Sequence, residues 1–134
     1  DTTMIPITSL AKCNNKLLTK ILSENQITEI ASNTMVGGAT LTKLLGTSAW
    51  YAPGASVSYL VNAILNDTKE ILPCSVLLEG EYGAKDLCIG VPVLIGKDGF
   101  EEVVELDLSN KELEMFKNSI KAVKETNSSL IGLI

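Results

Sequence analysis

Residues 71–106 constrain the fold more than any other stretch. Three strand-like runs follow one another there: ILPCSVLLE at 71–79, DLCIGVPVLIG at 86–96 and FEEVVEL at 100–106. GEYGAKD turns the chain after the first run, and Lys97-Asp98-Gly99 closes a hairpin after the second. Asp-Gly between strand-like runs is a strong hairpin signal, because both residues tolerate the positive φ of a tight turn. Strands joined this closely pair antiparallel, since a parallel pair needs a long crossover. The expectation is a three-stranded antiparallel meander. Pro73 lacks an amide hydrogen for a ladder, so the first strand belongs at an edge or a bulge.

The flanking segments read as helices. Ser23 to Gln26 fits a capping box, in which the serine oxygen caps free amides and the glutamine reaches back. A long helix is expected from there to about Leu45. Ile27, Ile30, Ala31, Met35, Leu41, Leu44 and Leu45 recur along it at helical spacing. Gly37-Gly38 interrupts it, and each glycine costs about 1 kcal/mol against alanine in a helix interior. Close approach of another backbone, within the domain or from a partner, would compensate. Gly46 suits the C-terminal cap, and Pro53 suits the first turn of a second helix to about Asn66. That second helix is apolar on nearly every face, which points to a central, buried position. Ser109 and Glu112 form another capping box. They open a last helix striped by Leu113, Phe116, Ile120 and Val123, which TNSS frays near residue 126.

At the start, residues 4–13 read as a short strand, Asn14-Asn15 as a turn, and 16–22 as a short strand or helical turn. Leu130 to Ile134 read as an apolar tail that docks on something. Separate runs of helices and antiparallel strands define an α+β class. At 134 residues, the whole of 1–134 is expected to be one domain.

Composition excludes several functions. The net charge is −5, against the basic face that nucleic acid requires and against attraction to an anionic membrane. No apolar run reaches the length of a membrane span. The start, DTTMIPITSL, lacks both a signal-peptide pattern and an initiator methionine, and reads as a processed or excised end. Cys13, Cys74 and Cys88 match no zinc or redox spacing. They read as free thiols of a reducing, cytoplasmic protein. All 11 basic residues are lysine, and histidine is absent. The chain therefore lacks the bidentate carboxylate grip of arginine and the commonest general acid/base near neutral pH.

Three blocks carry a resemblance. They are T-M-I-P-I-T at 3–8, G-x-S-A-W-Y-A-P-G-A-S at 46–56, and the run from Ile71 to Leu106. In this order and spacing they resemble the C-terminal, substrate-side domain of the lactate/malate dehydrogenases, closest to the LDH-like malate dehydrogenases. The resemblance covers essentially the whole chain. It implies an oxidoreductase of the tricarboxylic acid cycle that moves hydride between NAD and a small 2-hydroxy or 2-oxo acid, with malate first and lactate as the alternative. It also implies an N-terminal Rossmann domain of the same polypeptide as partner. That domain would hold most of the NAD, the substrate arginines and the catalytic histidine, and the complete protein would be a homo-oligomer. No catalytic residue and no metal ligand is assigned to this chain. Two alignments at the start stay open: Asp1 on the glycine after that histidine, or on the following aspartate.

Residue by residue, the resemblance carries over Ser48 and Ala49 as substrate-side positions and Pro53 as a wall against the nicotinamide. A small side chain leaves room for substrate, and a proline stiffens the wall. Without the resemblance, the same run is a tight turn into a helix. The chain departs from the family at Asn33–Thr40, where an arginine and a glutamate are usual, and at Gly54, where alanine is common. These departures leave room for a degenerate paralogue or a non-catalytic oligomerisation module.

Other groupings read more plainly. Glu79, Glu81 and Asp86 form a solvated loop, while Glu101, Glu102 and Glu105 form the wet face of a strand. Lys111, Lys117, Lys121 and Lys124 form a solvated helix face. Gly90 and Gly96 lie in no strand–turn–helix phosphate loop. Trp50 and Tyr51 are expected to pack in a core or an interface.

Overall fold

The computed structural model describes residues 3–130. Two compact units divide the chain: residues 1–49 with 108–119, and residues 50–107 with 120–134.

The second unit is built on the meander. β3 (Glu70–Glu79), β4 (Lys85–Gly96) and β5 (Gly99–Val103) form an antiparallel sheet in the order β3-β4-β5. Val76 pairs with Ile89 and Leu78 with Leu87 on the buried face, which Val91, Val93 and Ile95 continue along β4. Each such side chain contributes on the order of 1.5–3 kcal/mol through burial. The opposite face is also apolar in part. Leu77 pairs there with Cys88 and Ile71 with Leu94, and Ile71 and Leu77 are exposed.

β3 is an edge strand, where Pro73 was expected, and Pro73 pairs with Pro92. Two residues without amide hydrogens can face each other only at a non-hydrogen-bonded position. The Pro92 carbonyl therefore points toward β5, where it accepts from Val104 N at 2.9 Å. Pro92 cannot return that bond, and β5 ends at Val103, short of the expected Leu106.

α2 (Tyr51–Leu65) lies on β4 with Ala63 buried. The expectation of a central helix is corrected here. Ala63 is its one buried residue, while Val57, Tyr59, Val61 and Leu65 are exposed. The sheet of the unit covers one side of the helix, and the rest of its apolar circumference is left open. Trp50 and Tyr51, expected in a core or interface, are 66% and 86% exposed within the chain.

In the first unit, the strand expected over 4–13 shrinks to β1 (Lys12–Cys13), paired with β2 (Lys16–Leu17) across Asn14-Asn15. Both asparagines have positive φ, 49° and 61°, as the turn requires. Residues 4–7 have no strand assignment, and most of the segment is half-buried. A single 3-10 turn, Leu18–Lys20, follows β2.

α1 (Glu24–Leu45) starts at the expected capping box. Gln26 N donates to Ser23 Oγ at 3.4 Å, and Ser23 N donates to Gln26 Oε1 at 3.0 Å. It stops at Gly46, whose φ of 70° suits glycine. None of its residues is buried, and Leu44 is 79% exposed. A Cβ on Gly37 or Gly38 would meet nothing within 4 Å. Among the described residues of their own unit, no close approach compensates for these glycines.

α3 (Asn110–Ser128) belongs to both units, and it continues past the expected fraying point. Thr126 Oγ1 and Ser128 Oγ donate back to the carbonyls of Ala122 and Glu125 at 3.0 and 2.7 Å, which keeps the last turn wound. Leu130 is exposed, and the rest of the expected tail, 131–134, lies outside the described residues, as do both positions of the Asp1–Thr2 alignment. Among the described residues no helix is long and apolar enough to cross a membrane.

Candidate functional site

The stretch from Gly46 to Ser56 joins α1 to α2. Gly46 reverses the backbone out of α1, and Ser48 follows exposed. Ala49 is half-buried and closes the first unit. Trp50 is the N-cap of α2 with φ −122° and no side-chain cap bond. Gly54 N donates to Trp50 O at 2.8 Å, which closes the first helical turn. Pro53 sits exposed within that turn, where its missing amide hydrogen costs no helical bond. Ser48 and Ala49 thus belong to one unit and Pro53 to the other, four residues beyond Ala49 along the chain. No titratable side chain lies in the run from Gly46 to Trp50. Its chemistry is that of small and apolar surfaces.

A second feature went unread in the sequence beyond its local half. Glu112 is 6% exposed, and its carboxylate accepts from two serines. Ser109 contributes the capping box, with its amide at 3.0 Å. Ser9 contributes its amide at 3.1 Å and its hydroxyl at 2.7 Å. Burial would raise the Glu112 carboxyl, but the four donors stabilise its charge and hold it below its ordinary value. The sequence signal for the local half was the Ser109–Glu112 spacing, and none marked Ser9.

The third feature is a groove of about 530 Å³ beside α2 and β3, lined by Val57, Tyr59, Leu60, Leu72, Pro73 and Cys74 among others. Its lining is mainly apolar. The Tyr59 hydroxyl donates to Glu70, and that bond, with the neighbouring charge, raises the phenol above its ordinary value. Cys74 is a free, half-buried thiol, and Cys13 and Cys88 are free and exposed.

Four other carboxylates have partners within the second unit. Glu81 Oε2 accepts from Glu79 N at 2.7 Å, and backbone donors lower its carboxyl. Glu105 accepts from Tyr82 N. Glu101 pairs with Lys69, which also pairs with Asp67 at 3.0 Å. Among the described residues no three His, Cys, Asp or Glu side chains come together to hold a metal. The four lysines of α3 are exposed, as a solvated face requires.

An antiparallel meander with long helices in this order defines an α+β domain. Residues 1–130 match the family model of the lactate/malate dehydrogenase alpha/beta C-terminal domain. The chain belongs to that family. It is 58% identical over 130 residues to malate dehydrogenase of Bacteroides thetaiotaomicron, covering 97% of this chain and 42% of that protein. Among solved structures, malate dehydrogenase from Salinibacter ruber superimposes with a TM-score of 0.93 at 40% identity, over 98% of this chain and 43% of that one. Lactate dehydrogenase from Eimeria maxima with NADH and oxamate gives the same TM-score at 30% identity, over 98% of this chain and 43% of that one. The chain thus spans less than half the length of the relatives it matches.

Proposed function

We propose that this chain is the substrate-side domain of an NAD-dependent malate dehydrogenase, which oxidises malate to oxaloacetate when joined to a nucleotide-binding half. The observation that carries this reading is the family match over residues 1–130, together with 58% identity to one malate dehydrogenase and, at the same TM-score, 40% identity to another malate dehydrogenase against 30% to a lactate dehydrogenase. Lactate is the less favoured substrate.

In this reading Ala49 and Ser48 border the 2-hydroxy acid, and Pro53 backs the nicotinamide. The small side chain at Ala49 leaves room for a substrate, and the exposed pyrrolidine ring of Pro53 suits contact with a flat ring. NAD, when bound, supplies the hydride acceptor. A stiff proline lowers the ordering cost of binding. The proton step needs a base, and the carboxylate needs an arginine fork. With histidine and arginine both absent from the sequence, these groups fall to the other half of the polypeptide. Catalysis is then a matter of holding two bodies in register, with this chain as one of them. The cellular setting is a cytoplasmic oxidoreductase of the tricarboxylic acid cycle.

The exposed apolar residues of α1 and α2 favour an accompanying reading, that the domain is also an assembly surface of a homo-oligomer. Light scattering on the complete protein tests it, and a monomer at micromolar concentration counts against it.

The decisive experiment extends the reading frame upstream and assays the complete protein. A Gly-rich strand–turn–helix, a histidine just before Asp1, and malate-dependent reduction of NAD are expected. Absence of the histidine would sink the proposal.

A further inference from the structure

The Glu112 carboxylate does more than cap a helix. A capping box requires one serine, three residues earlier, and Ser109 fills that role. Ser9 lies 103 residues away, and it gives Glu112 both its amide and its hydroxyl. Oε2 takes the Ser9 hydroxyl and both Ser109 donors, and Oε1 takes the Ser9 amide. Residues 3–11 contain no strand, so a sheet ladder does not hold this segment. Residues 5–9 are nonetheless half-buried. Charge-assisted bonds to a desolvated carboxylate are stronger and more directional than neutral ones. They fix the height and the direction of the segment at Ser9. Ser9, Glu112 and Ala49 all belong to the first unit.

We propose that Glu112 is a positioning residue. Its carboxylate anchors the segment 4–9 and thereby sets where the chain immediately upstream of Asp1 presents its proton-transfer group to the substrate. The proposal rests on the dehydrogenase reading above. A base must stand within hydrogen-bond reach of the substrate hydroxyl, and a displacement of about 1 Å from a remote change can cost up to about 100-fold in rate.

Glutamine at position 112 preserves size but not the pattern of acceptors. If its NH2 replaces Oε2, it faces the Ser109 amide. If it replaces Oε1, it faces the Ser9 amide. Either way one backbone donor loses its acceptor. Ser9→Ala is milder, because the Ser9 amide remains bonded, and Ser9→Thr keeps the hydroxyl.

The test uses the complete protein, this chain with its upstream half, in the variants Glu112→Gln, Ser9→Ala and Ser9→Thr, with Lys121→Ala as an exposed control. Malate-dependent NAD reduction and amide hydrogen exchange are measured on each. Glu112→Gln is expected to lower kcat about tenfold while KM for NAD stays within about twofold. Exchange is expected to accelerate at 4–9. Ser9→Ala should lower kcat less, Ser9→Thr should restore it, and Lys121→Ala should match the unsubstituted protein. An unchanged kcat in Glu112→Gln, or a fall in kcat without faster exchange at 4–9, overturns the proposal. If Glu112→Gln does not fold, the Ser9→Ala and Ser9→Thr pair decides by the same criteria. Lack of turnover by the unsubstituted complete protein overturns the dehydrogenase reading itself, and the positioning role with it.

Discussion

The Glu101 carboxylate occupies the space where Gly96 would carry a side chain: a Cβ there would lie 2.0 Å from Glu101 Oε1 and 2.6 Å from Lys69 Nζ. Gly96 ends β4, Glu101 lies in β5 and Lys69 precedes β3, so the ion pair passes over the bare backbone at the end of the middle strand. Gly96→Ala should therefore break the Lys69–Glu101 pair without distorting the strand, because both atoms in the way are tips of flexible side chains. The pair is exposed, and such pairs contribute little to stability. The expected loss in a urea melt is correspondingly small, and in a Glu101→Ala background it should vanish. A large loss that persists in that background would show that the backbone, not the ion pair, needs glycine.

Tyr82 ties the turn after β3 to the strand end after β5. Its hydroxyl donates to Val104 O and accepts from Leu106 N, both at 2.9 Å. Tyr82→Phe leaves a donor and an acceptor without that partner. The expected cost is about 1–2 kcal/mol, toward the lower end because the site is only half-buried. Exchange of the Leu106 amide should speed up before global unfolding does. Equal protection in both proteins would mean that the hydroxyl is not the group that holds Leu106.

What could be read from the sequence is what short-range chemistry decides. Ser23–Gln26, Gly46 and the Ser109–Glu112 box depend on neighbours within four residues, and all appear as expected. The meander was legible because alternation and Asp98-Gly99 are local too. The misread parts depend on what lies across space. MIPITSLAKC has strand composition, but no strand comes alongside it at 4–7. The second helix, α2, is apolar all round, yet burial depends on what covers it, and the sheet covers one side. Ser9 and Glu112 are too far apart for any motif. At Ser48, Ala49 and Pro53 the residues themselves say only "turn into helix", and the substrate and nicotinamide roles come from the family.

Gly37 and Gly38 carry a helix penalty with nothing within 4 Å of where their side chains would be. Gly37→Ala and Gly38→Ala should each stabilise this chain by about 1 kcal/mol, read as a higher thermal midpoint. If another protein surface closes on this helix, the same variants should weaken that assembly in the complete protein. Destabilisation of the 134-residue chain would mean that the glycines serve its own fold.

The chain by itself should show no malate- or lactate-dependent reduction of NAD, since histidine and arginine are absent. It should also bind NAD weakly, because it would contribute one wall and no phosphate cradle. Calorimetric titration with NAD checks the second point. Turnover by the purified 134-residue chain would move the chemistry into these residues.

Glu112 predicts the response to acid. Its folded carboxyl is held below its ordinary value by the serine donors, against the opposing effect of burial. A carboxylate of lowered pKa contributes stability that is complete above the unfolded value, about 4.3 for glutamate, and is lost as pH falls through the lower folded value. Urea midpoints should therefore fall more steeply below about pH 4.3 in the unsubstituted chain than in Glu112→Gln, which has no proton to take up there. Ser9→Ala removes one of the donors that lower the carboxyl, so its loss should begin at the same pH, be smaller in total and be complete at a slightly higher pH. Parallel acid profiles for all three proteins would show that the charge on Glu112 does not support the fold, even though its side chain is buried.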